Sequence, residues 1–407
     1  MKILLLSSQP NFINQIASLF KEKQSGIIFC ALSENKSNAK KFAEYFDTVE
    51  VLKLSYSTIF FYLFQLPRVV YFSIQSLFIL LLNFKQGLKS LKCVYDAFGY
   101  VGKMQHFHLS RFNIINVHYL TIKKAIAILL LPPKVKIIIS FWGSDLFRTG
   151  GLTYNFWIRK ALSRASTIHV SSNEMRMSLL SEFGYGIESK IKFALFVPSY
   201  DQIKQIDAVS TNSHDQLNEL RRKYLIKGER CIMIGNNGNR GNNHIHILNA
   251  IKKIVHKENI TVILPLTYKL NKEYKAELET FILKNKMDAI LLTEYLSNED
   301  MAALKVTSDI FITMQQTDAM SAFFTESLYA KSVCIAASWL PYSTFRQSGA
   351  YYIECPEFDK LDQTLENILR DFTNEINNCK KNPSIIKSTF FNKEKLSESW
   401  ENIFSTE

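Results

Sequence analysis

The chain has 407 residues, 47% hydrophobic and 21% charged, enough apolar material for ordinary cores and for about two domains. Lys and Arg number 49 against 37 Asp and Glu, a formal net charge of +12, which favours an anionic partner but also fits a lysine-rich surface. The six cysteines (Cys30, Cys93, Cys231, Cys334, Cys355, Cys379) form no CxxC pair, which argues against a zinc or disulfide framework and for reduced, mostly buried thiols of a cytoplasmic protein.

The opening run KILLL (2–6) is too short for a signal-peptide core and fits a first buried strand. GIIFCAL (26–32) and VEVLKL (49–54) follow, separated by helical patterns. This alternation predicts parallel strands joined by crossover helices. After a gap it resumes with INVHYL (115–120), VKIIISF (135–141), TIHVSS (167–172) and IKFALF (191–196). Residues 200–229 are polar and read as a linker followed by a short helix. A second series runs through RCIMIGNN (230–237), ITVILPL (260–266), AILLTEYL (289–296), DIFITM (309–314), SVCIAAS (332–338) and AYYIEC (350–355). NKEKLSESWENIF at the end reads as a final helix.

Residues 59–84 break the pattern with an apolar and aromatic run long enough to span a bilayer. Pro67 and Arg68 near its centre oppose a span, because an arginine at mid-membrane is costly. Lys85, Lys89 and Lys92 follow at once. The run fits helices lying in the membrane interface, or a domain's own buried helices.

Three constellations carry chemistry. In MIGNNGNRGNNHI a strand ends in a Gly/Asn turn that opens a helix. Such a turn offers unpaired backbone N–H groups and the positive end of a helix dipole to a diphosphate. Gly235, Gly238 and Gly241 let the backbone approach a ligand, and Arg240 adds a cation. The loop matches neither GxGxxG nor a P-loop. Next, Asp318 and Glu326 lie on a strand–loop–helix passage, where carboxylates can accept the hydroxyls of a ribose or a sugar; as helix-start acids they would be favoured by the dipole alone. Third, ISFWGSDLFR places Asp145 after a strand, and His118 ends the preceding one. Open α/β sheets bind ligands at that end, so either residue is a candidate general base, while Asp145 also suits a helix N-cap.

Together these residues resemble a GT-B glycosyltransferase over nearly the whole chain. WGSD is similar to the HGSD turn of family 4 enzymes, with Trp142 in the histidine place, and Asp318 and Glu326 match their E-x7-E pattern with Asp first. GNNGNRGNNHI followed by VILPLTY is similar to the motif of the Fuc4NAc transferases of enterobacterial common antigen synthesis, which use a dTDP-sugar and a polyprenyl-diphosphate-linked acceptor. That match comprises Gly235, Asn236, Gly238, Arg240, Asn242, His244, Pro265 and Tyr268. The acid pair is not retained in that family, so the chain has traits of both.

The resemblance implies two Rossmann-like domains facing a central cleft: an acceptor domain (1–200), a nucleotide-sugar domain (201–385) and a helix (386–407) returning to the first. Donor contacts are expected from Gly235, Asn236, Gly238, Arg240, Asn242, His244, Tyr268, Asp318 and Glu326, with Asp145, His118 and Glu326 as catalytic candidates. The expected reaction moves a hexosyl or deoxyaminosugar unit from a nucleotide-diphosphate sugar to a lipid-linked or growing surface-polysaccharide acceptor, such as O-antigen or capsule. No metal or other cofactor is expected, since no DxD-type pair is present. The expected location is the inner face of the cytoplasmic membrane, docked through 59–92. The alternatives are a GT-B-type sugar-nucleotide epimerase, or a nucleic-acid-binding protein using the positive charge. Nucleic acid is not the expected partner, because no aromatic-basic recognition motif appears.

Overall fold

The computed structural model describes residues 1–405 apart from 8–9, 23–25, 34–35, 53–55, 106–107 and 255–257. The chain divides into two compact units, Met1–Val197 with Lys393–Glu407, and Pro198–Asn392.

The first unit is built on β1 (Lys2–Leu6), α1 (Pro10–Glu22), β2 (Ile28–Ser33), α2 (Lys36–Ala43) and β3 (Thr48–Val51). A helical hairpin follows, α3 (Tyr56–Leu82) and α4 (Phe84–Met104). The chain then runs through β4 (Ile114–His118), α5 (Ile122–Leu130), β5 (Lys136–Ser140), α6 (Ser144–Phe147), α7 (Leu152–Arg164), β6 (Thr167–Val170), α8 (Asn173–Phe183) and β7 (Ile191–Phe193). All seven strands are parallel, in the order β3-β2-β1-β4-β5-β6-β7. β1 is apolar and buried after Lys2, and β4 is buried along its whole length, Asn116 and His118 included, as parallel strands covered by helices must be. Of the predicted strand at 49–54, Lys53 and Leu54 lie outside the described residues.

The second unit contains α9 (Tyr200–Ser210), α10 (His214–Lys223), β8 (Arg230–Ile234), α11 (His244–Ile251), β9 (Ile260–Pro265), α12 (Lys272–Lys284), β10 (Ala289–Leu292), α13 (Asn298–Thr307) and β11 (Ile310–Thr313). It continues with α14 (Ala322–Tyr329), β12 (Val333–Ala337), α15 (Ser343–Gln347), β13 (Ile353–Cys355), α16 (Leu361–Arg370), α17 (Phe372–Cys379) and α18 (Asn382–Phe390). Its six parallel strands take the order β10-β9-β8-β11-β12-β13. The last helix, α19 (Lys393–Phe404), groups with the first unit, where Phe404 meets Phe20 and Phe29.

Two expectations need correction. Residues 200–229 do not begin with a linker: α9 is a packed helix whose Ile203, Ile206 and Val209 are buried, held by their spacing on one face. The apolar segment at 59–84 is not a pair of the domain's own buried helices. It is one continuous helix through Pro67, and most of its large side chains are exposed. Residues Thr58–Leu82 are long and apolar enough to cross a membrane, and 22% of an 18-residue window within them is buried.

Candidate active site

Each sheet reverses its winding at one point, between β1 and β4 in the first unit and between β8 and β11 in the second. Crevices outside the carboxyl ends of the strands at such switch points are where open α/β sheets bind ligands. The Gly/Asn loop leaves β8 and the Asp318 loop leaves β11, so both flank the second switch point. They are tied together: Gln316 N–H donates to the Gly241 carbonyl (2.7 Å) and Asn243 Nδ2 to the Met314 carbonyl (2.7 Å).

Gly235 opens the loop at φ +69, a left-handed conformation that disfavours side chains, and donates its N–H to Ile312 in β11. A Cβ at this position would lie 2.5 Å from Nε2 of His244, so the imidazole fills the space that a side chain would need. His244 is fully buried, and burial lowers its pKa to about 4, so the ring is neutral. Its Nδ1 meets the Tyr274 hydroxyl at 3.1 Å. In one tautomer the phenol donates to Nδ1 and Nε2 carries the ring proton; in the other Nδ1–H donates to the phenol and Nε2 is a bare acceptor. Nε2 is buried with no hydrogen-bond partner among the described residues, an unpaired ring nitrogen directly behind the Gly235 turn.

The rest of the loop corrects the expectation of free N–H groups. Asn236 N–H donates to Asn242 Oδ1, Asn239 N–H to Asn237 Oδ1, Gly241 N–H to Asn239 Oδ1, and Gly238 N–H to the Tyr268 carbonyl. The asparagines thus stiffen the loop from within. Gly238 packs so tightly on Leu270 that a Cβ would lie 2.5 Å from it. Pro265 is buried at the end of β9, and the Tyr268 side chain just beyond it is exposed.

Arg240 is paired with Glu277 at 2.5 Å and lies over the Tyr274 ring, 4.4 Å from its centroid. Both partners of the pair are about half exposed, so the guanidinium is held loosely and can exchange its anion. Asp318 accepts from Tyr342 Oη (2.6 Å) and Gln315 Nε2 (2.8 Å) on one oxygen and from Ala319 N–H (2.9 Å) on the other. Burial, followed by the Asp318 charge, raises the Tyr342 pKa far above its usual value, so the phenol remains a donor. Glu326 sits further along α14 and pairs with Lys305 at 2.5 Å. The Lys305 ammonium is 1% exposed and lies over the Phe323 ring. Asp318 and Glu326 therefore have separate partners, and neither is a helix-start acid stabilised only by the dipole.

In the first unit, Asp145 is fully buried at the start of α6, in a turn that Gly143 makes at φ +99. One carboxylate oxygen accepts the Trp142 N–H (2.8 Å) and the other the Leu120 N–H (2.7 Å). Burial raises its pKa to about 6 against the lowering effect of these bonds. Asp145 thus clamps the end of β4 to the end of β5, with no exposed carboxylate surface. His118 is also fully buried, between the rings of Trp142 (5.7 Å) and Trp400 (6.2 Å). Burial, then the nearby His169 and Lys124, lowers its pKa well below normal, so it is neutral too. Neither of its ring nitrogens has a hydrogen-bond partner among the described residues. Trp142, in the histidine place of the turn, stacks on Phe196 at 4.5 Å.

Sequence reasoning missed Tyr274, Glu277, Lys305, Tyr342 and Trp400. Each reaches its partner from a different helix or loop, and nothing in its local sequence marks it.

A family model described as 4-alpha-L-fucosyltransferase, glycosyl transferase group 56, matches residues 185–317. The match is under half of the chain; it includes the Gly/Asn loop and stops one residue before Asp318. No curated protein matches. Solved structures match end to end. HepE of Anabaena in complex with UDP and glucose aligns with TM-score 0.69 at 13% identity, covering 99% of both chains. A glycosyltransferase from Rickettsia africae aligns with TM-score 0.71 at 12% identity, covering 100% of this chain and 99% of that one. An E. coli structure described as trehalose-6-phosphate bound with UDP-2-fluoro glucose aligns with TM-score 0.68 at 12% identity over 100% of both. The fold is GT-B, with two parallel-sheet Rossmann-like domains, and these matches support a glycosyltransferase.

Proposed function

We propose that the protein transfers a sugar from a nucleotide-diphosphate sugar to a lipid-linked or growing surface-polysaccharide acceptor at a membrane surface. The observation that carries this reading is the Gly235–His244 arrangement: a side-chain-free turn at the switch point, backed by a buried imidazole nitrogen with no partner among the described residues. Such a turn suits close approach by a diphosphate. Arg240 would then exchange Glu277 for the donor phosphates, with Asn236 and Tyr268 at the rim and Asp318 and Glu326 toward the ribose or sugar hydroxyls. In this reading Asn242 shapes the loop, Asp145 braces the acceptor turn, and His118 is the remaining base candidate. The partial match to a fucosyltransferase family model favours a fucose-like deoxysugar donor, and the loop motif favours one of the Fuc4NAc kind, bound without a metal. The test is transfer of labelled sugar from a panel of nucleotide-sugars to membrane lipid extracts. Label in the lipid fraction from one donor supports the reading, and label from none overturns it.

A further inference from the structure

The α3–α4 hairpin is anchored on one side and bare on the other. α4 lies against α5 and α7 and carries the hairpin: Trp157 Nε1 in α7 donates to Ser90 Oγ (2.7 Å), which meets Ser76 Oγ of α3 (2.7 Å). Gly87 and Gly102 leave room for Leu80 and Tyr62 of α3, and a Cβ at either would clash. Phe61, Val69, Phe72, Ser76 and Ile79 form the buried seam of α3. The rest of α3 faces outward with Phe60, Phe64, Tyr71, Phe78, Leu81 and Leu82, of which Phe64 is 79% and Leu81 80% exposed. A contiguous apolar face of this length is unusual on a protein that meets only water.

We infer that this hairpin is a membrane-docking element: α3 lies in the plane of an anionic bilayer surface with its bare face among the acyl chains, and the hairpin turn holds the acceptor end of the first unit at that surface. The inference rests on the proposed lipid-linked acceptor and on the expected docking through 59–92, to which it adds the orientation of α3 and its register. Charge identifies the occupant. Across 56–104 the hairpin carries Arg68, Lys85, Lys89, Lys92 and Lys103 against the single acid Asp96. Exposed cations flanking an apolar face match anionic headgroups rather than a second copy of the same face.

Topology excludes a span by α3 alone. β3 and β4, which flank the hairpin, belong to one sheet, so a crossing by α3 would force α4 to cross back. α4 carries four lysines and an aspartate and cannot do so cheaply. The register follows from two contacts at the turn. Thr153 Oγ1 donates to the Gln86 carbonyl (2.8 Å), and the Gln86 side chain lies beside Gly151. Both partners stand at the start of α7, which follows α6 and its Trp142–Asp145 turn, so the docking element and the acceptor turn are joined through α6 and α7.

The experiment is sedimentation of the full chain with vesicles of phosphatidylcholine alone or mixed with phosphatidylglycerol. The wild type is compared with Phe64→Ser/Phe78→Ser/Leu81→Ser and with Lys85→Glu/Lys89→Glu/Lys92→Glu. All substituted side chains are exposed, and melting curves check the fold. Binding to the anionic vesicles, weakened at least about tenfold by either triple variant and released by alkaline wash, is expected. Three results would overturn the proposal: no vesicle binding by the folded wild type, unchanged binding by the apolar triple variant, or protease-accessible sites on both vesicle faces. So would an oligomer in lipid-free solution that the apolar variant returns to monomer, since a second copy would then cover the face. Nucleotide-sugar binding, measured separately, reports on the transferase reading whatever the vesicles show.

Discussion

Arg240 and Glu277 form an ion pair at 2.5 Å beside the Gly/Asn loop, with the guanidinium lying over Tyr274. A half-exposed pair of this kind contributes little to stability, about 1 kcal/mol or less. Arg240→Ala should therefore leave the melting temperature nearly unchanged while weakening donor binding by about 2 kcal/mol, the loss of a charged hydrogen bond. Glu277→Gln removes the competing anion and should hold or strengthen donor binding. Calorimetric titration of both variants checks this. Weaker binding in Glu277→Gln would mean that the carboxylate itself serves the donor.

Gly235→Ala places a methyl group where His244 Nε2 stands, at a positive φ. The expected cost is about 2 kcal/mol or more of unfolding free energy, combining backbone strain with the clash. Adding His244→Ala relieves the clash but not the strain, so the double variant should melt above the sum of the two single effects. Strict additivity in denaturant unfolding would refute the packing account.

The Lys305–Glu326 pair changes what a mutation at Glu326 can report. Glu326→Ala strands a buried ammonium, a loss of about 3 kcal/mol or more, so lower turnover in that variant mixes chemistry with unfolding. Glu326→Gln with Lys305→Met removes both charges together and should recover most of the stability. If Glu326 serves the donor, this double variant remains folded and binds donor more weakly. Normal donor affinity in it would make the acid purely structural.

The buried histidines set a pH dependence. His169 and His244 have pKa values lowered to about 4 by burial, and His118 is lowered as well. A depressed folded pKa means that the unfolded chain takes up protons first as the pH falls. Their contribution is thus complete above about 6.5 and is lost as pH falls toward 4, at about 3 kcal/mol each for His169 and His244. Asp145 acts oppositely. Its folded pKa of about 6 exceeds the unfolded value, so its contribution is present below about 4 and lost as pH rises through 6. The three histidines outweigh the one acid, so melting at pH 5 should fall below melting at pH 7.5. His169→Gln, which keeps a donor for the Ala194 carbonyl, should narrow that gap.

The strands were legible because parallel strands buried on both faces read as near-continuous apolar runs, as KILLL and ITVILPL do. The Gly/Asn loop was legible as a strand-to-helix turn, and Gly235 as its pivot, because only a backbone demand explains such a composition. That the asparagines bond to the loop itself was not legible, since an asparagine donates and accepts equally well toward a ligand or its neighbours. Ile203, Ile206 and Val209 were overlooked in 200–229 because their polar neighbours dominate the composition, although their spacing marks a helix face. Asp145 illustrates the limit at the site. Its position after a strand is visible in the sequence, but the Leu120 N–H that it clamps comes from another strand's end and appears only on folding.

The account stands most directly on whether the second unit's switch point holds a nucleotide-diphosphate sugar. The deciding measurement is calorimetric titration of the wild type and Arg240→Ala with dTDP-, UDP- and GDP-sugars. One donor should bind the wild type with one-to-one stoichiometry and bind Arg240→Ala about thirtyfold more weakly, the equivalent of 2 kcal/mol. No binding by any of them, or equal binding by both proteins, would contradict it.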